Sequence, residues 1–355
     1  MTNRWARWLA DNPPQPFVLS RKAGWDAFVN AASRTPLERL SRQQMAELSG
    51  DEREDYDEAR MVWHANLPTI RTQQLTQAYG VIDQVMASGR RDGDRLRGSV
   101  VIDAAPNLGK TTIATRYAKD FQRRMYRRAG PHTAEGHQRL PVAFVPLAAG
   151  CTLKGLNQQL LSFYGHPAAD RATTTRLAAL AVDCVIACET RLIIIDDVHF
   201  IDFRHKHGLE VSNHLKSLAN EMPVTFVYVG VQLKEKKFFD EGQLGEQAAY
   251  AQTSRRATRV EVVPFRIDTD PGMRAWVHLL RAIEPQLLLA DSRPGMLTDH
   301  AKELHRRTQG NIGSLTSLVE RACALAISCG VEAVTKDVIE QTTIDNAAES
   351  LSRAG

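Results

Sequence analysis

Cysteine is sparse in this 355-residue chain, and no two cysteines stand in a C-x-x-C pair. Cys151, Cys184, Cys188, Cys323 and Cys329 are an odd, scattered set. That argues against a disulfide framework and fits buried thiols in a reducing compartment. No spacing suits a zinc site. No apolar run reaches 18 residues, so no membrane span is expected and no membrane partner with it. The opening MTNRWARWLADNPP lacks an apolar core of signal-peptide length, which leaves the cytoplasm as the expected location. Internal repeats and low-complexity tracts are missing too. Charge of one sign is not in large excess: the net charge of +4 permits nucleic-acid binding without demanding it.

What is present divides into three textures. Residues 1–35 carry Pro and Trp without a clear period and read as an extended arm. From Pro36 to about Arg90 the pattern turns helical, with Leu75, Tyr79, Ile82, Val85 and Met86 recurring at spacings of one, three and four. Residues 1–90 are therefore expected to form an N-terminal arm and helical extension. Residues 91–268 hold five short Val/Ile-rich runs at 99–103, 142–147, 192–196, 224–229 and 259–264. They lack strict alternation, as strands buried on both faces do. Helical stretches at 110–127, 153–164, 174–188 and 209–221 separate them, which predicts an α/β core with a parallel five-stranded sheet. Residues 269–355 show no strand pattern and predict a small helical domain, punctuated by Gly310 and Gly330.

The stretch VVIDAAPNLGKTTIATRYA, 100–118, reads as strand, tight turn and helix. It ends its turn in Gly109-Lys110-Thr111, as a phosphate-binding loop does. In such a loop successive backbone N–H groups and a helix N-terminus point at phosphate oxygens. Ala105, Pro106, Asn107, Leu108, Gly109, Lys110, Thr111 and Thr112 are the expected nucleotide-binding residues. Lys110 would neutralise β/γ charge and the Thr111 hydroxyl would hold Mg²⁺. The first glycine of G-x-x-x-x-G-K-[ST] is replaced by Ala104, a position that costs about 1 kcal/mol if it must be left-handed and little otherwise. Chance is the rival reading, and strand before and helix after weaken it.

A second motif weakens it further. In RLIIIDDVHFID, 191–202, a buried strand runs into Asp196-Asp197. Asp196 would hold the Mg²⁺ shell. Asp197 stands where a Glu usually orients and deprotonates the attacking water, one methylene shorter. The rival reading is a strand ending in a helix cap, where Asp is favoured. The run 224–229 leads to Gln232, a candidate contact to the attacking water or γ-phosphate, or a solvated loop residue. Arg255, Arg256 and Arg259 precede the fifth strand. One of them, Arg256 by preference, could reach a neighbouring subunit's γ-phosphate, and a solvated basic turn is the alternative. His199 reads as structural.

Together these pieces resemble the AAA+ ATPases, and more narrowly the TniB/TnsC family of transposition regulators, relatives of MuB and IstB. YDEARMVWHANLPTIRTQQL (56–75), HLKSLANEMPVTFVYVG (214–230) and TQGNIGSLTSLVERACALAI (308–327) carry the resemblance beside the two Walker motifs, over roughly residues 56–330. The departures are Ala104, Asp197, Val231 where relatives often have Thr, and a lid motif Gly310–Ser314 without arginine. The resemblance implies a P-loop AAA+ core with a helical lid, ATP and Mg²⁺ as cofactors, and ATP hydrolysis, which the departures, Asp197 above all, would slow. It implies rings or filaments of this chain on duplex DNA, which mark a target site and recruit a DDE transposase, with a TniQ-like targeting protein as a further partner.

Basic residues offer several DNA-facing candidates. Arg116, Lys119, Arg123 and Arg127 share one helix face, Lys154 follows the second strand, and FRHKHG spans 203–208. A solvated face is the competing reading for the first group. Two other functions stay open: a signalling or defence NTPase switch indifferent to DNA, and an ATP-binding scaffold that hardly hydrolyses.

Overall fold

A computed structural model describes residues 3–89, 97–201, 206–233 and 257–344. Five strands, β1 (Ser99–Ala104), β2 (Val142–Pro146), β3 (Leu192–Asp196), β4 (Thr225–Gly230) and β5 (Ala257–Val262), form one sheet in the order β2-β3-β4-β1-β5. Every pairing is parallel. Nearly every residue of β1 to β4 is buried, which is why their sequences are continuous Val/Ile runs. The edge strand β5 has helical cover on less of its surface and alternates buried with exposed residues. It begins two residues earlier than the 259–264 run predicts. Its Pro264 cannot donate to a ladder, so pairing stops before it.

The helices, in chain order, are α1 (Arg4–Asp11), α2 (Lys22–Asn30), α3 (Arg42–Ala46), α4 (Gly50–His64), α5 (Gln73–Ser88), α6 (Lys110–Ala129), α7 (Leu153–Phe163), α8 (Thr174–Ala187) and α9 (Lys206–Glu221). They continue with α10 (Asp270–Ile283), α11 (Ala301–Thr308), α12 (Ile312–Ser328) and α13 (Lys336–Gln341). The extended arm expected at 1–35 is corrected: it holds α1 and α2. Trp5 and Trp8, three apart, and Trp25, Phe28 and Val29, at i, i+3 and i+4, each bury one face of a two-turn helix. Pro13, Pro14 and Pro16 between them keep either pattern too short to read as a period.

The described residues gather into two compact units. One takes residues 16–31 and 74–263 and contains the sheet. Its core includes Trp25, Ile102, Phe144, Ile194 and Val227. Trp25 stacks on Phe144 at 6.0 Å and donates its indole N–H to Gln122. Here the basic face of α6 has a structural occupation. The Lys119 ammonium donates to Phe28 O at 2.6 Å and sits over the Phe28 ring. Arg123 donates to Val29 O and Ala31 O. Both cations thus cap the C-terminus of α2, where unsatisfied carbonyls favour positive charge. Burial, with Arg123 and Arg116 nearby, pushes the Lys119 ammonium down to about 8. This face is neither a solvated stripe nor a DNA surface at Lys119.

The other unit takes residues 3–15, 32–73 and 264–344 of the described chain. Its core joins Trp276, Leu280, Leu315, Leu318 and Ile339, with a satellite around Trp5, Leu40 and Tyr56. At its centre Arg60 is fully buried. Its guanidinium donates to Glu332 at 2.6 and 3.0 Å, to Leu288 O at 3.2 Å and to Asp57. Its other face lies 4.7 Å over the Tyr56 ring. Burial alone would raise the Glu332 carboxyl, but Arg60 and the Ala290 N–H overcome it and hold it below the usual range. His64 Nε2 accepts from the Leu288 N–H at 2.9 Å, so that nitrogen carries no proton. The stretch 56–64 therefore ties α4 to the segments around Leu288 and Glu332 through two polar side chains, Arg60 and His64. Removing one partner of a buried pair strands the other charge. Glu332→Ala should destabilise by about 3–5 kcal/mol in urea unfolding; a loss under about 1 kcal/mol would remove the pair from that role.

His64 sets a second expectation. Burial, helped by the charge of Arg60, pushes it from 6.5 down to about 4. The unfolded chain then binds the proton first, so stability is complete above about 6.5 and falls as pH drops toward 4. Glu332, lowered from 4.5, loses its contribution only as pH falls from about 4.5 downward, so it is silent between pH 7 and 5. Urea midpoints between pH 7 and 5 should fall in the wild type and flatten in His64→Gln. Parallel curves would assign the acid limb to other groups.

Candidate nucleotide site

Parallel strands place all their carboxyl ends at one sheet edge, and three polar groups converge there. β1 ends at Ala104, which is buried and paired with Val262 in regular strand geometry. The position of the missing first glycine therefore needs no left-handed backbone. Two other residues supply it: Asn107 at φ 60° and Gly109 at φ 77°. Asn tolerates that region through its short polar side chain, while glycine has no Cβ to clash. Leu108 between them is buried and anchors the turn in the core; Ala105, Pro106 and Asn107 are exposed. Gly109 is the N-cap of α6 and offers no capping side chain. The first N–H groups of the helix, at Lys110, Thr111 and Thr112, are left to an outside acceptor, with the positive end of a 20-residue helix behind them.

Facing them, Asp196 ends β3 and is 4% exposed. The Thr111 hydroxyl donates to its Oδ2 at 2.9 Å, and the Asp197 N–H to its Oδ1 at 2.9 Å. Burial raises the Asp196 carboxyl despite the Thr111 hydrogen bond; the charge of Asp197 raises it further, and that of Lys110 lowers it. A buried carboxylate short of positive charge beside a threonine hydroxyl is the donor set a divalent cation completes. Among the described residues no cluster of three His, Cys, Asp or Glu could hold a metal unaided. Thr111 and Asp196 fit a cation whose remaining ligands are phosphate oxygens and water.

Asp197 stands next to this pair in a left-handed conformation, φ 58° and ψ 35°. It precedes a short 3₁₀ turn, yet its side chain makes no capping hydrogen bond. The carboxylate is 37% exposed, with His199 Nδ1 at 3.8 Å. Such backbone strain in a non-glycine residue is retained where the surroundings over-determine it. Gln232 is exposed just past β4, also left-handed at φ 52°.

Sequence reasoning passed over Asp103. It is buried at the end of β1, one residue before the loop. Its Oδ1 accepts the Leu233 N–H at 3.0 Å and its Oδ2 the Arg259 guanidinium at 3.0 Å. This fastens the segment just past β4 and the middle of β5 to the strand that carries the loop. The signal was a lone carboxylate closing an apolar run, VVID. Arg259, one of three finger candidates, is thereby engaged within its own chain, with Glu261 at 3.6 Å as well. Arg255 and Arg256 lie outside the described residues, as do positions 203–205 of the basic loop. Lys154 is exposed in the first turn of α7.

A profile of the bacterial TniB protein matches residues 60–247, more than half of the chain. The chain belongs to the TniB family. Its fold is the α/β P-loop fold of the AAA+ ATPases, as solved structures agree. The Aeropyrum pernix ORC2 protein is similar over 80% of this chain and 71% of its own, at TM-score 0.57 and 14% identity. The Aeropyrum pernix ORC1 protein in complex with DNA gives 0.55 and 14% over 80% and 66%. Cdc6p from Pyrobaculum aerophilum gives 0.53 and 11% over 76% and 66%. No curated protein sequence matches. No described helix of this TniB-family chain is long and apolar enough to cross a membrane.

Arg259→Ala would remove the guanidinium partner of the buried Asp103 carboxylate. The expected loss is about 1–2 kcal/mol, held low by the partial exposure of the guanidinium. Thermal unfolding measures it; an unchanged midpoint would show that Asp103 needs no such partner.

Proposed function

We propose that this TniB-family protein is an ATP-hydrolysing, duplex-DNA-binding regulator of transposition. In this reading it assembles on DNA with ATP, marks the target site and engages a DDE transposase. The observation that carries the nucleotide part is the Thr111–Asp196 contact beneath the uncapped, glycine-led N-terminus of α6. The DNA and transposase parts rest on family membership.

The residues divide the work. N–H groups from Gly109 to Thr112 receive the phosphates, and Lys110 adds a point charge at the β/γ oxygens. Thr111 and Asp196 would hold Mg²⁺, which would supply neutralisation of phosphate charge. Asp197 accepts the proton of the attacking water, and its partly exposed carboxylate has access to one. Gln232 orients that water. Arg256 reaches the γ-phosphate of the next subunit, so that assembly depends on nucleotide. Asp197 is short and left-handed, which favours slow turnover and keeps an ATP-binding scaffold as the second reading.

Duplex-DNA-stimulated ATPase activity is the deciding measurement. Wild type should be stimulated by duplex DNA of any sequence and bind it only with ATP, losing affinity steeply as salt rises. Lys110→Ala should weaken ATP by more than about tenfold. Asp197→Asn should keep binding and assembly yet slow hydrolysis about a hundredfold. Arg256→Ala should weaken assembly and DNA binding together. ATP turnover indifferent to DNA would point to a switch of another kind, and binding without turnover to the scaffold.

A further inference from the structure

The opposite edge of the same sheet carries a cavity of about 690 Å³ with no part in the nucleotide site. Its walls come from the amino ends of β1, β3 and β4, from the C-terminal half of α5 and from α6 between Tyr117 and Arg128. Four arginines line it: Arg97 just before β1, Arg191 just before β3, and Arg124 and Arg128 on α6. Tyr117 and Phe121 contribute aromatic surface, and Asp83 is the one acid in the lining.

That aspartate is already engaged. It accepts the Tyr117 hydroxyl at 2.7 Å and has Arg124 at 3.8 Å. Arg124 also lies against the Tyr117 and Phe121 rings, at 5.7 and 5.9 Å. Among the described residues no carboxylate stands within ion-pair distance of Arg97, Arg128 or Arg191. Glu189, which feels the charge of Arg191, is bound by Arg139 at 2.9 Å. Arg97 is half-buried, and burial together with the charge of Arg191 lowers its pKa. Two guanidiniums that disfavour each other are held at one cavity mouth.

A helix-end role does not absorb them. Cations gather at helix C-termini to serve the last carbonyls, but the last carbonyls of α6, Ala129 O and Gly130 O beyond it, already accept from Arg139. Arg97 and Arg191 belong to no helix. Planar guanidiniums in a concave site match the paired oxygens of phosphates, and arginine stacks on flat rings. The volume lies within the range of small-ligand sites.

The geometry points to a second anion site here, one that takes a small phosphorylated ligand with a flat aromatic part, of nucleotide size. Phosphates lie between Arg97, Arg191 and Arg128, and the flat part rests against Phe121 beside Arg124. This site shares β1, β3 and α6 with the P-loop but none of its residues.

Calorimetric titration of the full chain with ATP, at physiological salt, tests it. Wild type should take up two equivalents. Lys110→Ala should lose one and Arg97→Ala/Arg191→Ala the other, with affinity there falling more than about tenfold. Arg97→Lys/Arg191→Lys, which keeps the charge but not the fork, should recover only part, and unchanged thermal unfolding certifies each variant. Arg128→Ala, at an exposed position, repeats the test should the double variant fail to fold. Tripolyphosphate should bind the Lys110→Ala protein more weakly than ATP does, since it lacks the aromatic part. One ATP equivalent in wild type, abolished by Lys110→Ala and untouched at the arginines, overturns the proposal. So does an arginine double variant that loses only duplex-DNA affinity, which would make the cavity mouth a backbone contact instead.

Discussion

A carboxylate at the end of a strand buried on both faces must find a partner, because neither water nor a neighbouring strand can supply one. This protein has two, Asp103 and Asp196, at the same sheet edge, and they are solved differently. Asp103 takes a backbone N–H and a guanidinium, and becomes a fastening. Asp196 receives a hydroxyl and its neighbour's N–H, and its raised pKa shows the charge still wanting. The difference separates a structural carboxylate from one poised for a cation. The parallel sheet makes both possible, since only parallel strands deliver their ends to one edge.

The α/β core was legible because its signals are strong and local. Buried parallel strands read as Val/Ile runs, and Gly109-Lys110-Thr111 and Asp196-Asp197 stand at the ends of two of them. The substitution at 104 looked like damage to the loop, yet Ala104 is the last strand residue and the unusual backbone falls on Asn107 and Gly109. Sequence could not locate it, because which residue goes left-handed depends on how Leu108 seats in the core. The short helices at 4–11 and 22–30 were illegible for another reason. Two turns give only two or three buried positions each, and three of these are tryptophans, common enough in loops to hide the period.

Basic residues were the least legible. A stripe at 116, 119 and 123 has the spacing of a surface face, and only the tertiary structure shows α2 ending against it. The carbonyls it meets come from residues about ninety positions away. Arg259 was similarly ambiguous, since its carboxylate partner lies on a neighbouring strand and no local pattern pairs them. At Lys119, Arg123 and Arg259 the charge is spent within the chain, so that the sequence overstates what these positions leave for a polyanion.

Glu332 occupies a left-handed backbone position, φ 56°, where glycine would rest more easily. Glutamate is held there by what its side chain does for Arg60. Drift at either position must therefore cross a state with a stranded interior charge, in whichever order the changes come. Exchange of both for apolar residues of matching volume would restore a sound interior. The two positions, 272 residues apart in the chain, are thus locked into changing as one, and α4 cannot be traded between relatives without the loop that answers it.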